Sequence, residues 1–305
     1  MTFLTKSIQK GDPVGMAGCG TMGKCMLKLL RDEGYTVYVY DTYPAAAEYA
    51  LEHGGILVDN PEELVANAKV IIMSLPKPQH VFDVVGGEHG LRNFISEKHV
   101  IVDTSTVSPQ TSQTAAELLK DTGAFYVDAP ILGRPSAAGN WMMPAGGDTV
   151  AIEYVRPVLE TFARNIVHVG GQGMGNAFKL LNQLMFSVIN GVSAEVMALA
   201  EALGLDKKIF YEVISNSGAA TVSGLFRETA GRMVDDHYDD PTFTIELLCK
   251  DAGLGIEMTK AVGITPLIAG FVQNLNENAK GKGLATKDTS SLSTVFRQFY
   301  SKIGG

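Results

Sequence analysis

The chain has 305 residues, 46% of them hydrophobic and 19% charged, a globular balance and a length that favours two domains. A net charge of -8 without any Lys/Arg cluster argues against nucleic acid as a partner, because phosphate binding needs a basic face. Cys19, Cys25 and Cys249 form neither a CxxC pair nor an even set. They support no disulfide framework and no zinc site, and suit a reducing, cytoplasmic compartment.

In chain order, the lead "MTFLTKSIQKGDP" lacks an apolar core and a small-residue cleavage site, so it does not read as a signal peptide. Short apolar runs then predict strands at "VGMAG" (Val14), "TVYVY" (Thr36), "GILV" (Gly55), "VIIMSL" (Val70), "VIVDT" (Val100) and "FYVDA" (Phe125). Most are apolar throughout, as strands of a parallel sheet covered on both faces must be. Helix signals fall between them at "TMGKCMLKLLRDEG", "PAAAEYALEHG", "PEELVANA" and "SPQTSQTAAELLKDTG". Proline near the starts and glycine at the stops mark their ends, and the alternation is βαβ. Weaker strands are expected at "WMMPAGG" and "NIVHVG", separated by a helix over "VAIEYVRPVLETFA".

Beyond Gly171 the pattern is helical only. A helix of about 30 residues from roughly Gly173 comes first, followed by segments near Asp206, Thr221, Thr244, Thr265 and Asp288. No uninterrupted apolar run reaches the roughly 18 residues that span a bilayer, so no membrane partner is expected.

The turn "GCGTMG" joins the first strand to the first helix, with Thr21 and Met22 inside it. Gly18, Gly20 and Gly23 allow a tight turn and close approach of a pyrophosphate to the helix amides. Asp41 ends the second strand, where a carboxylate can hold a ribose 2'-hydroxyl and repel the 2'-phosphate of NADP, so NAD is the expected cofactor.

"GMAGCGTMGKCMLKLLRDEGYTVYVYD", "VDTSTVSP", "VDAPILGRPSAAGNWMMPAGGD", "GMGNAFKLLNQ" and "FTIELLCKDAGLGIEM" stand in the order and spacing of one family. The chain resembles the 3-hydroxyisobutyrate dehydrogenase (β-hydroxyacid dehydrogenase) family over nearly its whole length. The resemblance implies an α/β fold: an N-terminal Rossmann-type dinucleotide-binding domain over 1–170, a long interdomain helix, and an all-α domain for substrate and oligomerisation over 171–305. It also implies that Lys179 is the catalytic acid/base, with Asn182 and Gln183 holding a substrate oxygen. Spacing agrees, since residues three and four apart share a helix face. By the same resemblance Ser105 lines the substrate site, Thr106 lies near the nicotinamide, Leu75 and Pro76 edge the cofactor, and Lys250 reaches it. The apolar neighbourhood of Lys179 admits another reading, a stem laid along apolar surface with its ammonium in water.

The chain departs from the family at "DAPILGRP", where relatives commonly have "DAPVSGG". Leu132 and Arg134 replace a serine and a glycine around Gly133, in the segment that grips the substrate carboxylate. A guanidinium suits a carboxylate, sulfonate or phosphonate. Arg134 could equally face solvent or a neighbouring subunit. The histidines are scattered without metal-ligand spacing, "DDHYDD" lacks the glycine and glutamate of a calcium loop, and Met22, Met26 and Met142 read as core.

The expected activity is interconversion of a small anionic hydroxy acid and its semialdehyde. Alternatives are reduction of a sulfonated or phosphonated C3 aldehyde, an imine reductase, or a catalytically silent binding module. Lys179 counts against the last two. Apolar stripes in the helical half predict a homodimer or homotetramer.

Overall fold

The structure is a computed structural model and describes residues 7–217, 221 and 223–301. It divides into two compact units, Met1–Lys179 and Leu180–Gly305.

The first unit carries β1 (Pro13–Ala17), α1 (Thr21–Asp32), β2 (Thr36–Tyr40), α2 (Pro44–Glu52), β3 (Ile56–Leu57), α3 (Pro61–Asn67), β4 (Val70–Met73), α4 (Pro78–Gly86), β5 (Val100–Asp103), α5 (Pro109–Leu118), β6 (Phe125–Asp128), β7 (Trp141–Gly147), α6 (Thr149–Leu159) and β8 (Ala163–Gly170). The eight strands form one sheet in the order β3-β2-β1-β4-β5-β6-β7-β8. From β3 to β6 every pairing is parallel; β7 pairs antiparallel with β6, and β8 parallel with β7.

Pleating divides the core in two. Val70 and Ile72 of β4 enter one apolar cluster with Met26, Leu27, Leu30 and Ile152, while Ile71 and Met73 enter the other with Leu64, Val81, Val85 and Ala115. Both faces of the central strands are therefore buried, which is why they read as unbroken apolar runs. Helices α2, α3, α4 and α5 each begin with proline, whose fixed φ and missing N–H suit a first turn. Asn60 and Ser108 cap α3 and α5 through their side-chain oxygens. The sequence reading assigned no helix between β4 and β5; α4 fills that gap with nine residues ending at Gly86, and Gly87 is its C-cap.

The long helix α7 (Met174–Ala202) contains the division between the units. The second unit continues through α8 (Lys207–Asn216), α9 (Gly224–Val234), α10 (Ile245–Ala261), α11 (Leu267–Ala279) and α12 (Leu292–Ser301). Its core gathers Met197, Phe226, Met233, Ile245, Cys249 and Leu292. Asp206, Ser223 and Thr244 cap α8, α9 and α10, so α9 starts after the Thr221 signal, at Gly224.

Two expectations are corrected. Met142 is exposed on β7, because its alternating position turns it away from the core that holds Trp141 and Met143. By length and composition α7 is long and apolar enough to cross a membrane, although no unbroken apolar run predicted it. It behaves as a core helix: over half of that stretch is buried inside the protein, and buried Asn176 and Asn190 within it make hydrogen bonds.

Candidate active site

The candidate residues of the first unit follow the ends of β1, β2, β4, β5 and β6, the end of a parallel sheet at which ligands bind, with Lys179 added from α7. After β1 the chain turns through Gly18 at φ 96°, where a Cβ would strike the Ser74 carbonyl oxygen. A Cβ on buried Gly23 would lie 2.5 Å from the Gly18 carbonyl oxygen. Gly20 is the N-cap of α1 and has no side chain to cap it, and the first turn holds no acidic residue, so its amides are left to an anion. Thr21 opens α1, and Met22 packs partly buried on the core.

Asp41 lies just past β2. Its Oδ2 accepts from the Cys19 amide at 2.6 Å and its Oδ1 from the Tyr43 amide at 2.8 Å, which fixes the carboxylate beside the glycine turn. Cys19 is fully buried, and burial pushes its thiol up to about 11. These features fit a dinucleotide: a turn whose Gly18 and Gly23 admit no Cβ while Gly20 faces open space, open helix amides and a placed carboxylate.

Past β4, the Leu75 amide donates to Ser105 Oγ at 2.9 Å; Leu75 is half-buried and Pro76 exposed. Past β5, the Ser105 amide donates to Asp103 Oδ1 at 2.9 Å, so a buried carboxylate holds the turn that presents Thr106. Burial raises the Asp103 carboxyl above its ordinary value, against the hydrogen bonds from Ser105 and Tyr126.

Past β6 comes "ILGRP". Leu132 and Met142 exchange backbone hydrogen bonds, and Trp141 Nε1 donates to the Arg134 carbonyl oxygen at 2.8 Å. Gly133 sits at φ 153° with the Trp141 indole where a Cβ would stand. Ile131 offers its carbonyl oxygen to Lys179 Nζ at 2.7 Å, and Lys179 is only 9% exposed. The lysine on the apolar helix is therefore nearly buried and held by a neutral acceptor from the loop that carries Arg134.

Asn182 and Gln183 follow on α7, in the second unit. Asn182 Nδ2 donates to Gln183 Oε1 at 3.3 Å, and Gln183 Nε2 donates to Asp251 Oδ2 at 2.7 Å. Lys250 Nζ lies 2.9 Å from Asp251 Oδ1, so buried Asp251 joins the predicted amide to the predicted lysine.

The sequence reading missed Asp251, Asp103, Asp128 and Asn176. Asp128 ends β6 and accepts from the Gly173 and Asn176 amides at 2.7 and 2.8 Å, capping α7 from a distant strand. The available signal was an aspartate closing two apolar strands, "VIVD" and "FYVD". Among the described residues no group of three His, Cys, Asp or Glu side chains could hold a metal ion.

Residues 13–170 match the NAD binding domain of 6-phosphogluconate dehydrogenase, and residues 173–296 match the NAD-binding domain of NADP-dependent 3-hydroxyisobutyrate dehydrogenase. A 3-hydroxyisobutyrate dehydrogenase of Pseudomonas aeruginosa is 30% identical, over 93% of this chain and 98% of its own. A 3-sulfolactaldehyde reductase of Escherichia coli is 29% identical, over 92% of this chain and 94% of its own. In fold, the chain is similar to the crystal structure of a 3-hydroxyisobutyrate dehydrogenase from Salmonella typhimurium, with a TM-score of 0.85 and 24% identity over 93% of this chain and 100% of that one. With both of its parts matched, the chain belongs to the 3-hydroxyisobutyrate dehydrogenase (β-hydroxyacid dehydrogenase) family of NAD(P)-binding oxidoreductases that act on CH–OH donors.

Proposed function

We propose that this enzyme is an NAD-dependent dehydrogenase or semialdehyde reductase that interconverts a small anionic β-hydroxy acid, a primary alcohol, with its semialdehyde, and that Lys179 is its general acid/base. The observation that carries the reading is the near-burial of Lys179 against the Ile131 carbonyl oxygen, 2.7 Å away. That oxygen accepts a proton-bearing bond whether or not the amine is charged, so the lysine can be held in both states.

In this reading residues 1–170 bind the dinucleotide, with Gly18, Gly20, Thr21, Met22 and Gly23 around the pyrophosphate and Leu75, Pro76, Thr106 and Lys250 along the rest of the cofactor. A bound NAD would supply the hydride acceptor, nicotinamide C4, for the alcohol carbon. The neutral Lys179 amine takes the hydroxyl proton as the carbonyl forms, and in the reducing direction the ammonium returns it. Asn182 and Gln183 orient the reacting oxygen, Ser105 and Gly133 line the pocket beside Leu132, and Arg134 pairs with the substrate anion. The choice of NAD rests on Asp41, whose carboxylate repels a 2'-phosphate. The three free cysteines suit a cytoplasmic setting. Leu267, Ile268 and Phe271, exposed on α11, support a homodimer or homotetramer, which light scattering at micromolar concentration tests.

The deciding experiment is Lys179→Ala. Expected is a loss in kcat of roughly 10²-fold or more with NAD affinity and fold retained; an unchanged kcat refutes the role. A panel of 3-hydroxyisobutyrate, serine, glycerate, 2-hydroxymethylglutarate and 3-sulfolactaldehyde identifies the substrate. The resemblance to a 3-sulfolactaldehyde reductase, together with Arg134, supports a second reading in which the anion is a sulfonate.

A further inference from the structure

One turn before Lys179, α7 carries Asn176, which is completely buried. All of its polar groups within the described residues are directed. Its Oδ1 accepts from the Val107 amide at 3.1 Å, its Nδ2 donates to Ser112 Oγ at 3.0 Å, and its own backbone N–H donates to Asp128 Oδ2 at 2.8 Å. The amide has only one workable orientation, because the Val107 N–H can only donate and must meet oxygen.

Donor direction is settled further along as well. The Tyr126 hydroxyl donates to Asp103 Oδ2 at 2.6 Å, so its oxygen accepts from the neighbouring Ser112 hydroxyl, whose own oxygen receives the Asn176 amide. A single buried chain thus runs from Asn176 through Ser112 and Tyr126 to Asp103, which also holds the Ser105 amide. Val107 directly follows Thr106, so Asn176 grips the end of the Ser105–Thr106 turn. Rotation or sliding of α7 would break these bonds together, in surroundings where unpaired polar groups are costly.

We propose that Asn176 is a positioning residue for the reaction: by tying the first turn of α7 to Val107 and Ser112 through its side chain, beside the Asp128 cap on its backbone N–H, it fixes the position of Lys179 relative to the Ser105–Thr106 turn. The inference rests on Lys179 being the acid/base. It does not require Asn176 to touch substrate or cofactor.

The test is a mutant cycle on the full chain. Asn176→Ala is expected to lower kcat about ten-fold, since small misplacements of reacting groups are costly. KM for NAD should stay within about two-fold, and the pH–kcat profile should shift because the surroundings of Lys179 change. Ser112→Ala leaves the Val107 bond in place and should act in the same direction more weakly; it also serves if Asn176→Ala folds poorly. In a Lys179→Ala background, Asn176→Ala should lower kcat no further. A wild-type kcat and pH profile for Asn176→Ala overturns the proposal, and so do equal losses with and without Lys179. If Lys179→Ala keeps full kcat, the acid/base reading fails first and this inference falls with it. If only the Asn176 effects are missing, the acid/base reading stands and this inference alone falls.

Discussion

Burial lifts the Asp128 carboxyl from 3.8 to about 7, against the opposing effect of the Asn176 and Gly173 amides and with the help of neighbouring Asp103. Its folded pKa is raised, so the protonated form favours the folded state, and this stability is lost as pH rises from about 4 through about 7. Taking about 3.9 for the unfolded chain, linkage gives a loss of about 2.5 kcal/mol between pH 5 and pH 8. Asp128→Asn removes the titrating group. It also turns one amide N–H of the new side chain toward a backbone N–H of Gly173 or Asn176, a defect of roughly 1–3 kcal/mol that does not vary with pH. Relative to wild type the variant should therefore gain about 2.5 kcal/mol from pH 5 to pH 8. Asp103 is also raised by burial and contributes a slope of the same sign to both proteins. The assay is urea unfolding followed by the fluorescence of Trp141, the chain's one tryptophan, fully buried in the first unit. Parallel pH profiles for the two proteins would refute the reasoning.

Three further outcomes are expected. Wild type should prefer NAD over NADP in kcat/KM, and Asp41→Asn should narrow the gap; equal kcat/KM for both cofactors in wild type removes the Asp41 assignment. Arg134→Ala should raise KM for the anionic substrate roughly ten-fold, with Arg134→Lys recovering only part, because a charge-assisted fork is worth about 1.5–3 kcal/mol. An unchanged KM makes Arg134 structural. Gly133→Ala should lower the midpoint of Trp141-detected unfolding, since its Cβ must displace the indole; an unchanged midpoint shows that the loop yields.

What could be read in the letters was whatever depends on neighbours in sequence. The apolar runs of β1, β2, β4, β5 and β6, and the glycines of "GCGTMG", state their structure locally. Helix α4 escaped because it is short: Val81 and Val85, four residues apart on its buried face, are its only two fully buried apolar side chains. The reversal at β7 was not readable, since "WMMPAGG" does not say which way its partner runs. Lys179 stood out by contrast with its apolar surroundings. Asn176, Asp128 and Asp251 did not, because their meaning comes from partners far off in sequence, as in the bond from Gln183 to Asp251.

The reversal at β7 also bears on how such an enzyme can diverge. Because β8 runs with β7 and Gly170 pairs with Gly146, the chain returns to the level of Asp128 just before α7 begins. A residue added to or removed from β8 would shift the helix start by about 3.3 Å, past the reach of the carboxylate that caps it. Insertions, the ordinary currency of loop evolution, are closed to this junction. Divergence here has to come from exchanged side chains on a connection of constant length, whereas the connection from β6 to β7, where Leu132 and Arg134 stand, is under no such constraint.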